Sequence, residues 1–178
     1  MSPRPHAAAQ ALEHPSGGVS PLPPTGSLQQ AYLHAGHMVI SREPCRVTTV
    51  LGSCVAVGLW DPTSGIGGVN HFLLPQGSDP ASARFGNTAV RALIREVVAA
   101  GARRRSLQAK LFGGACVLRA FRGAATGTGT HLGQKNVEVA RQILIAEAIP
   151  IAAEDVEGER GRKLIFQTHD GAAWVRSL

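Results

Sequence analysis

Apolar and polar positions alternate between two periods along this chain. Residues 47–54, 55–60 and 68–75 are short apolar runs rich in β-branched side chains, the composition of strands. Between the second and third runs lie Asp61, Pro62, Thr63, Ser64 and Gly65, a turn by composition. Further on the period lengthens. Val90, Leu93, Ile94, Val97 and Val98 recur at the spacing of one buried helical face, with Asn87 and Thr88 placed to cap the helix and Gly101 to end it. Residues 107–112 read as a strand that runs into Gly113, Gly114 and Ala115, and residues 123–130 as a flexible Gly/Thr-rich loop. A second helix is predicted over 134–148, with Val137, Ala140, Ile143 and Leu144 on one face. Residues 149–156, 163–168 and 172–175 read as strands, the last two joined around Asp170 and Gly171, a hairpin signal. The expectation is an α+β domain, an α/β sandwich whose mainly antiparallel stacked sheets are covered by two helices.

Length and composition set the domain organisation. A chain of 178 residues with 44% hydrophobic residues can bury one substantial core. Six of the eleven prolines fall in the first thirty residues, together with Gly17, Gly18 and Gly26. Such a segment buries too little apolar surface to offset the entropy of ordering, so residues 1–29 are expected to be a disordered Pro-rich tail and 30–178 the folded domain. No stretch approaches the roughly 18 apolar residues of a membrane span, which implies a cytoplasmic protein without direct membrane insertion. Cys45, Cys54 and Cys116 are odd in number and lack C-x-x-C spacing, the pattern of free thiols.

A net charge of +6 implies attraction to acidic partners, and Arg103, Arg104 and Arg105 form the densest basic cluster. Nucleic acid is disfavoured as that partner, since aromatic residues make up only 4% of the chain and none interleaves with the basic positions as a stacking surface would require.

Cys54 and His71 carry the candidate chemistry. Each interrupts an apolar run. A hairpin centred between Pro62 and Thr63 would set them directly opposite one another, with Cβ atoms roughly 4.5–5.5 Å apart. An imidazolium beside a thiol lowers its pKa and raises the thiolate fraction. The plainer reading is a buried cysteine acting as a small hydrophobe beside a core histidine. His131 and His169 have no comparable partner in sequence, and the His34-x-x-His37 pair lacks the Cys, Asp or Glu that a metal site would need.

Three blocks then resemble a known family: Thr48, Thr49, Val50, Leu51, Gly52, Ser53, Cys54, Val55, Ala56, Val57; Gly68, Val69, Asn70, His71, Phe72, Leu73, Leu74, Pro75; and Lys110, Leu111, Phe112, Gly113, Gly114, Ala115. They are similar to the signature blocks of CheD, the chemoreceptor glutamine deamidases of bacterial chemotaxis. Leu132, Gly133, Gln134, Lys135, Asn136 and the stretch Gly161, Arg162, Lys163 resemble weaker C-terminal blocks, while Glu157-Gly158 stands where the family usually has a Gly-Gly pair. The resemblance implies a protein-glutamine glutaminase, a hydrolase of signal transduction that acts through a cysteine nucleophile and a thioester intermediate. It assigns catalysis to Cys54, His71 and Thr48, the threonine orienting or polarising the imidazole. It implies no metal or organic cofactor, and as partners the cytoplasmic helical bundle of methyl-accepting receptors and, from relatives, a CheC-type phosphatase. Two alternatives stay open: a regulatory binding role towards such a phosphatase, and hydrolysis of receptor methyl esters with the same thiol. Alternation turns Asn70 away from the face of His71.

Overall fold

The computed structural model describes residues 28–116 and 131–178. The expected tail at 1–29 falls almost wholly outside the described residues, and the expected loop at 123–130 falls wholly outside them. Among the described residues nine strands and two long helices follow in the order β1 (Gln29–Tyr32), β2 (His37–Ser41), β3 (Cys45–Leu51), β4 (Val55–Asp61), β5 (Ile66–His71), α1 (Gly86–Ala99), β6 (Gln108–Gly113), α2 (Leu132–Ala146), β7 (Ile151–Val156), β8 (Arg162–Gln167) and β9 (Ala173–Ser177).

The strands form a four-stranded sheet, β1-β3-β8-β9, and a five-stranded sheet, β2-β5-β4-β6-β7. Two of the pairings, β1 with β3 and β6 with β7, are parallel and the others antiparallel, so the expected α+β class with mainly antiparallel stacked sheets is what the chain adopts. Each long helix lies on the five-stranded sheet, where Val90, Leu93, Val97, Val137 and Leu144 pack against Val55, Val57, Leu59 and Leu111. A second core fills the space between the sheets. Val47, Leu51, Leu164 and Phe166 of the smaller sheet meet Ala56, Trp60, Val69 and Phe112 of the larger. β4 is therefore buried on both faces, which explains why its sequence runs apolar without alternation.

The predicted elements are present with shifted ends. The first helix begins before Asn87, at an N-cap on Phe85, and Asn87 and Thr88 serve a different purpose: Asn87 exchanges two hydrogen bonds with the backbone of Gly77, and Thr88 donates to the carbonyls of Ser82 and Phe85. The second helix starts two residues early because His131 caps it, its Nδ1 accepting from the Gln134 N–H at 3.1 Å. β1 and β2 carry no clear alternation and were not predicted as strands.

Glycine permits the two sheets to approach. At Gly58 a Cβ would lie 2.5 Å from the Phe166 ring in the facing sheet. Gly58→Ala is therefore expected to overpack the inter-sheet core and cost about 1–3 kcal/mol, read as a lower urea midpoint at unchanged slope.

Candidate active site

β3 and β4 are consecutive in sequence but belong to different sheets, and residues 52–54 make the crossing. Cys54 is the last residue of that crossing. Its backbone is held from beneath by the Gly113, Gly114, Ala115 block: the Gly114 N–H donates to the Cys54 carbonyl and the Ala115 N–H to the Gly52 carbonyl, both at 2.8 Å. Both glycines have positive φ, 104° and 70°, and a Cβ on Gly113 would sit 2.2 Å from the Cys54 oxygen. Only glycine allows this approach. From the helical side Asn136, fully buried, donates through Nδ2 to the carbonyls of Ser53 and Leu73, each at 2.9 Å. One amide thus ties the Cys54 loop to the chain just beyond His71.

The β4–β5 hairpin has a different register from the one the turn sequence implied. Gly58 faces Val69 and an isolated bridge pairs Val55 with Phe72, so Cys54 stands across from Leu73 instead of His71. The offset is two residues, and an even slip leaves every side chain on its original face. Cys54 and His71 are diagonal neighbours on the inter-sheet side, a backbone separation of roughly 7–8 Å that an imidazole can reach across. Asn70 points the other way, as alternation required, and its Oδ1 accepts from the Val57 N–H in place of a ladder bond.

The threonine that meets His71 is Thr49, not Thr48. In β3 the buried positions are Cys45, Val47, Thr49 and Leu51, so Thr48 lies half-buried on the outer face of the sheet beside Tyr32 and Ile165. The Thr49 hydroxyl donates to the Leu33 carbonyl at 2.8 Å and stands 2.9 Å from His71 Nδ1. A hydroxyl has one proton. With it committed to Leu33, the oxygen accepts, and Nδ1 must carry the proton of the neutral ring. Nε2 is left as a bare lone pair. It is buried and has no hydrogen-bond partner among the described residues.

Electrostatics favour a neutral resting pair. His71 is 5% exposed, and burial lowers its pKa to about 4, the Leu33 carbonyl pulling weakly the other way. Burial raises the Cys54 thiol, opposed by its own backbone N–H. The expected imidazolium that would lower the thiol's pKa is therefore absent near neutrality, and the arrangement suits a neutral imidazole that removes the thiol proton during attack.

The other sequence candidates lie elsewhere. Arg103, Arg104 and Arg105 precede β6, whereas Cys54 adjoins its far end at Gly113, roughly 17–20 Å away at the strand's rise per residue. The cluster is also partly neutralised, since Arg104 pairs with Glu147 and the Arg103 guanidinium Nε lies 3.7 Å from Asp61 Oδ2. His34 and His37 are exposed, in edge contact with each other, and Tyr32 lies against His34. Among the described residues no three His, Cys, Asp or Glu side chains gather as metal ligands would. Glu157 and Gly158 both adopt positive φ, 64° and 74°, so the glutamate occupies the left-handed conformation that a Gly-Gly pair would hold without strain. Their backbones brace the strand end, Glu157 N–H donating to Gly113 and Gly158 accepting from Cys116.

Comparison with known proteins agrees with these blocks. A family described as CheD chemotactic sensory transduction matches residues 73–177, and a relative from Anaeromyxobacter dehalogenans is 52% identical over 97% of this chain and 94% of its own length. The chain belongs to the CheD family. That relative is named "Probable chemoreceptor glutamine deamidase CheD 1", as is one from Burkholderia thailandensis, 44% identical over 78% of this chain, which spans 59% of the Burkholderia protein. Among solved structures, the hypothetical protein YfiH of Bacillus licheniformis aligns over 68% of this chain and 49% of its own, at 14% identity and a TM-score of 0.43. No helix among the described residues is long and apolar enough to cross a membrane.

Two outcomes test this geometry. Thr49→Val should lower turnover by about 10- to 100-fold by freeing the ring and its tautomer, whereas Thr48→Val should leave turnover within twofold; steady-state kinetics of the pair decides which threonine serves His71. The second concerns acid stability. His71 takes up its proton near pH 6.5 when unfolded and only near 4 when folded, so stabilisation present above pH 6.5 is lost as pH falls towards 4. Urea titrations at pH 7 and 4.5 should show His71→Gln losing about 2–3 kcal/mol less than the parent between those values.

Proposed function

We propose that this chain hydrolyses the side-chain amides of selected glutamines on methyl-accepting chemoreceptors, releasing ammonia and leaving glutamate, as part of chemotactic adaptation. The names of its relatives support the reaction class. The observation that supports the mechanism is the buried Nε2 of His71, without a hydrogen-bond partner among the described residues, at a register position diagonal to Cys54.

Nε2 takes the thiol proton as Sγ attacks the carboxamide carbon, and the carbonyl π electrons move to oxygen. The Cys54 backbone N–H, already directed towards the sulfur side, is positioned to stabilise that oxyanion. Collapse breaks the C–N bond. The imidazolium returns its proton to the departing nitrogen, which leaves as ammonia, and a thioester remains. Water then attacks the thioester with His71 again as base, and the expelled thiolate is reprotonated. One water is consumed and one ammonia formed. Thr49 touches no substrate atom and acts through the ring, holding Nδ1 protonated so that Nε2 stays the base in both halves. Thiol chemistry suffices for each step, so no cofactor is invoked.

Ammonia release from a purified receptor cytoplasmic domain, with mass spectrometry of its glutamine peptides, tests the reading. Cys54→Ala should lower turnover by at least 10³-fold. Cys45→Ala, whose thiol lies in the inter-sheet core, should retain it. Turnover of receptor methyl esters without amide hydrolysis would overturn the assignment, as would an active Cys54→Ala protein.

A further inference from the structure

The outer face of the four-stranded sheet is covered by no described element, both helices lying on the other sheet. Its outward positions follow from alternation and register. Gln30, Arg46 and Gln167 form one row; Tyr32, Thr48, Ile165 and Trp174 a second; Val50, Lys163 and Arg176 a third. The middle row is an apolar band with an aromatic ring at each end, and Tyr32 and Val50 are 55% and 44% exposed. All charges on the face are positive. Arg46, Lys163 and Arg176 form no ion pair among the described residues, and no Asp or Glu shares the face with them.

Lys163 and Arg176 are direct cross-strand partners. Like charges placed opposite each other destabilise a sheet, and here no carboxylate offsets the repulsion. An external one would. The row is also next to the active site, because Val50 lies only four residues before Cys54, no more than about 14 Å of chain. The middle row ends at Tyr32, whose neighbour Leu33 supplies the carbonyl that holds Thr49.

We propose that this face is a docking surface for the chemoreceptor substrate, with Lys163 and Arg176 receiving carboxylates that flank the target glutamine and Tyr32, Ile165 and Trp174 covering the apolar part of the same segment. It rests on the deamidase reading for the identity of the substrate. A receptor segment whose glutamines become glutamates by hydrolysis presents carboxylates beside the remaining amides, which matches a basic face with an apolar band. Aromatic and arginine side chains together are the usual anchors of protein interfaces. A single-stranded nucleic acid would need a continuous basic track, and the uncharged middle row separates Arg46 from the Lys163–Arg176 pair.

The test is association of the full chain with a purified receptor cytoplasmic domain across a salt series, with ammonia release read in parallel. Lys163→Glu/Arg176→Glu should weaken association at least tenfold at 0.1 M salt and remove most of its salt dependence. The milder Lys163→Gln/Arg176→Gln, which relieves the repulsion and preserves folding, should weaken it by severalfold. Tyr32→Ala/Trp174→Ala should weaken it at low and high salt alike. For receptor saturated with enzyme, turnover should stay within twofold of the parent, placing the loss in KM and not in kcat. Unchanged affinity in the charge variants, or no association of the parent protein, overturns the proposal. So does an unstructured single-stranded oligonucleotide that binds this face more tightly than the receptor domain. Charge-dependent association without ammonia release supports the docking face and overturns only the deamidase reading.

Discussion

One hydroxyl proton sets the geometry on which the proposed chemistry depends. Thr49 belongs to the smaller sheet and His71 to the larger, and the hydrogen bond between them crosses the sandwich. By giving its proton to Leu33, Thr49 fixes which ring nitrogen of His71 is protonated, and the same bond holds the ring plane. The site needs this from outside the ring, because burial has already removed the charge that would otherwise pair with a thiolate. A buried neutral histidine is useful as a base only if its lone pair is aimed correctly. In the proposed mechanism the other features of the site present the Cys54 thiol to that lone pair.

Presentation is achieved by backbone more than by side chains. The chain crosses between sheets at Gly52, Ser53 and Cys54, and glycines at 113 and 114 let a neighbouring strand end come within hydrogen-bond distance below. The brace continues outward through Glu157 and Gly158, and Arg162, buried beside them, pairs with Asp155 and with the Glu157 carbonyl. Asn136 closes the assembly from the helix side. Three segments far apart in sequence therefore converge on a loop of three residues.

Much of this was legible in the sequence. Period-2 and period-3.6 patterns located both helices and seven of the nine strands among the described residues, because those segments bury one face or both. β1 and β2 were missed since neither has a clean alternation: β2 is half-buried along most of its length and β1 is an edge strand. Cys54 and His71 were found as chemical interruptions of apolar runs, and the wrong hairpin register did not separate them because an even slip conserves faces. The threonine was a different matter. Two adjacent threonines are indistinguishable by composition, and a one-residue choice in a strand is a choice of face; the burial of Cys45, Val47 and Leu51 around Thr49 was the available signal. Asn136 was visible only as part of a weak block, since a side chain that bonds two carbonyls far away in sequence leaves no periodic trace.

The division of the site between two sheets has a mechanical consequence. The Cys54 loop is the strap joining the sheets, while His71 and Thr49 sit one on each. Sliding of one sheet over the other by a fraction of a residue spacing would keep both cores apolar and both hydrogen-bonded ladders intact, yet it would misalign donor and acceptor. On the proposed mechanism, activity depends on the shear between layers, and it can be lost while the secondary structure remains complete.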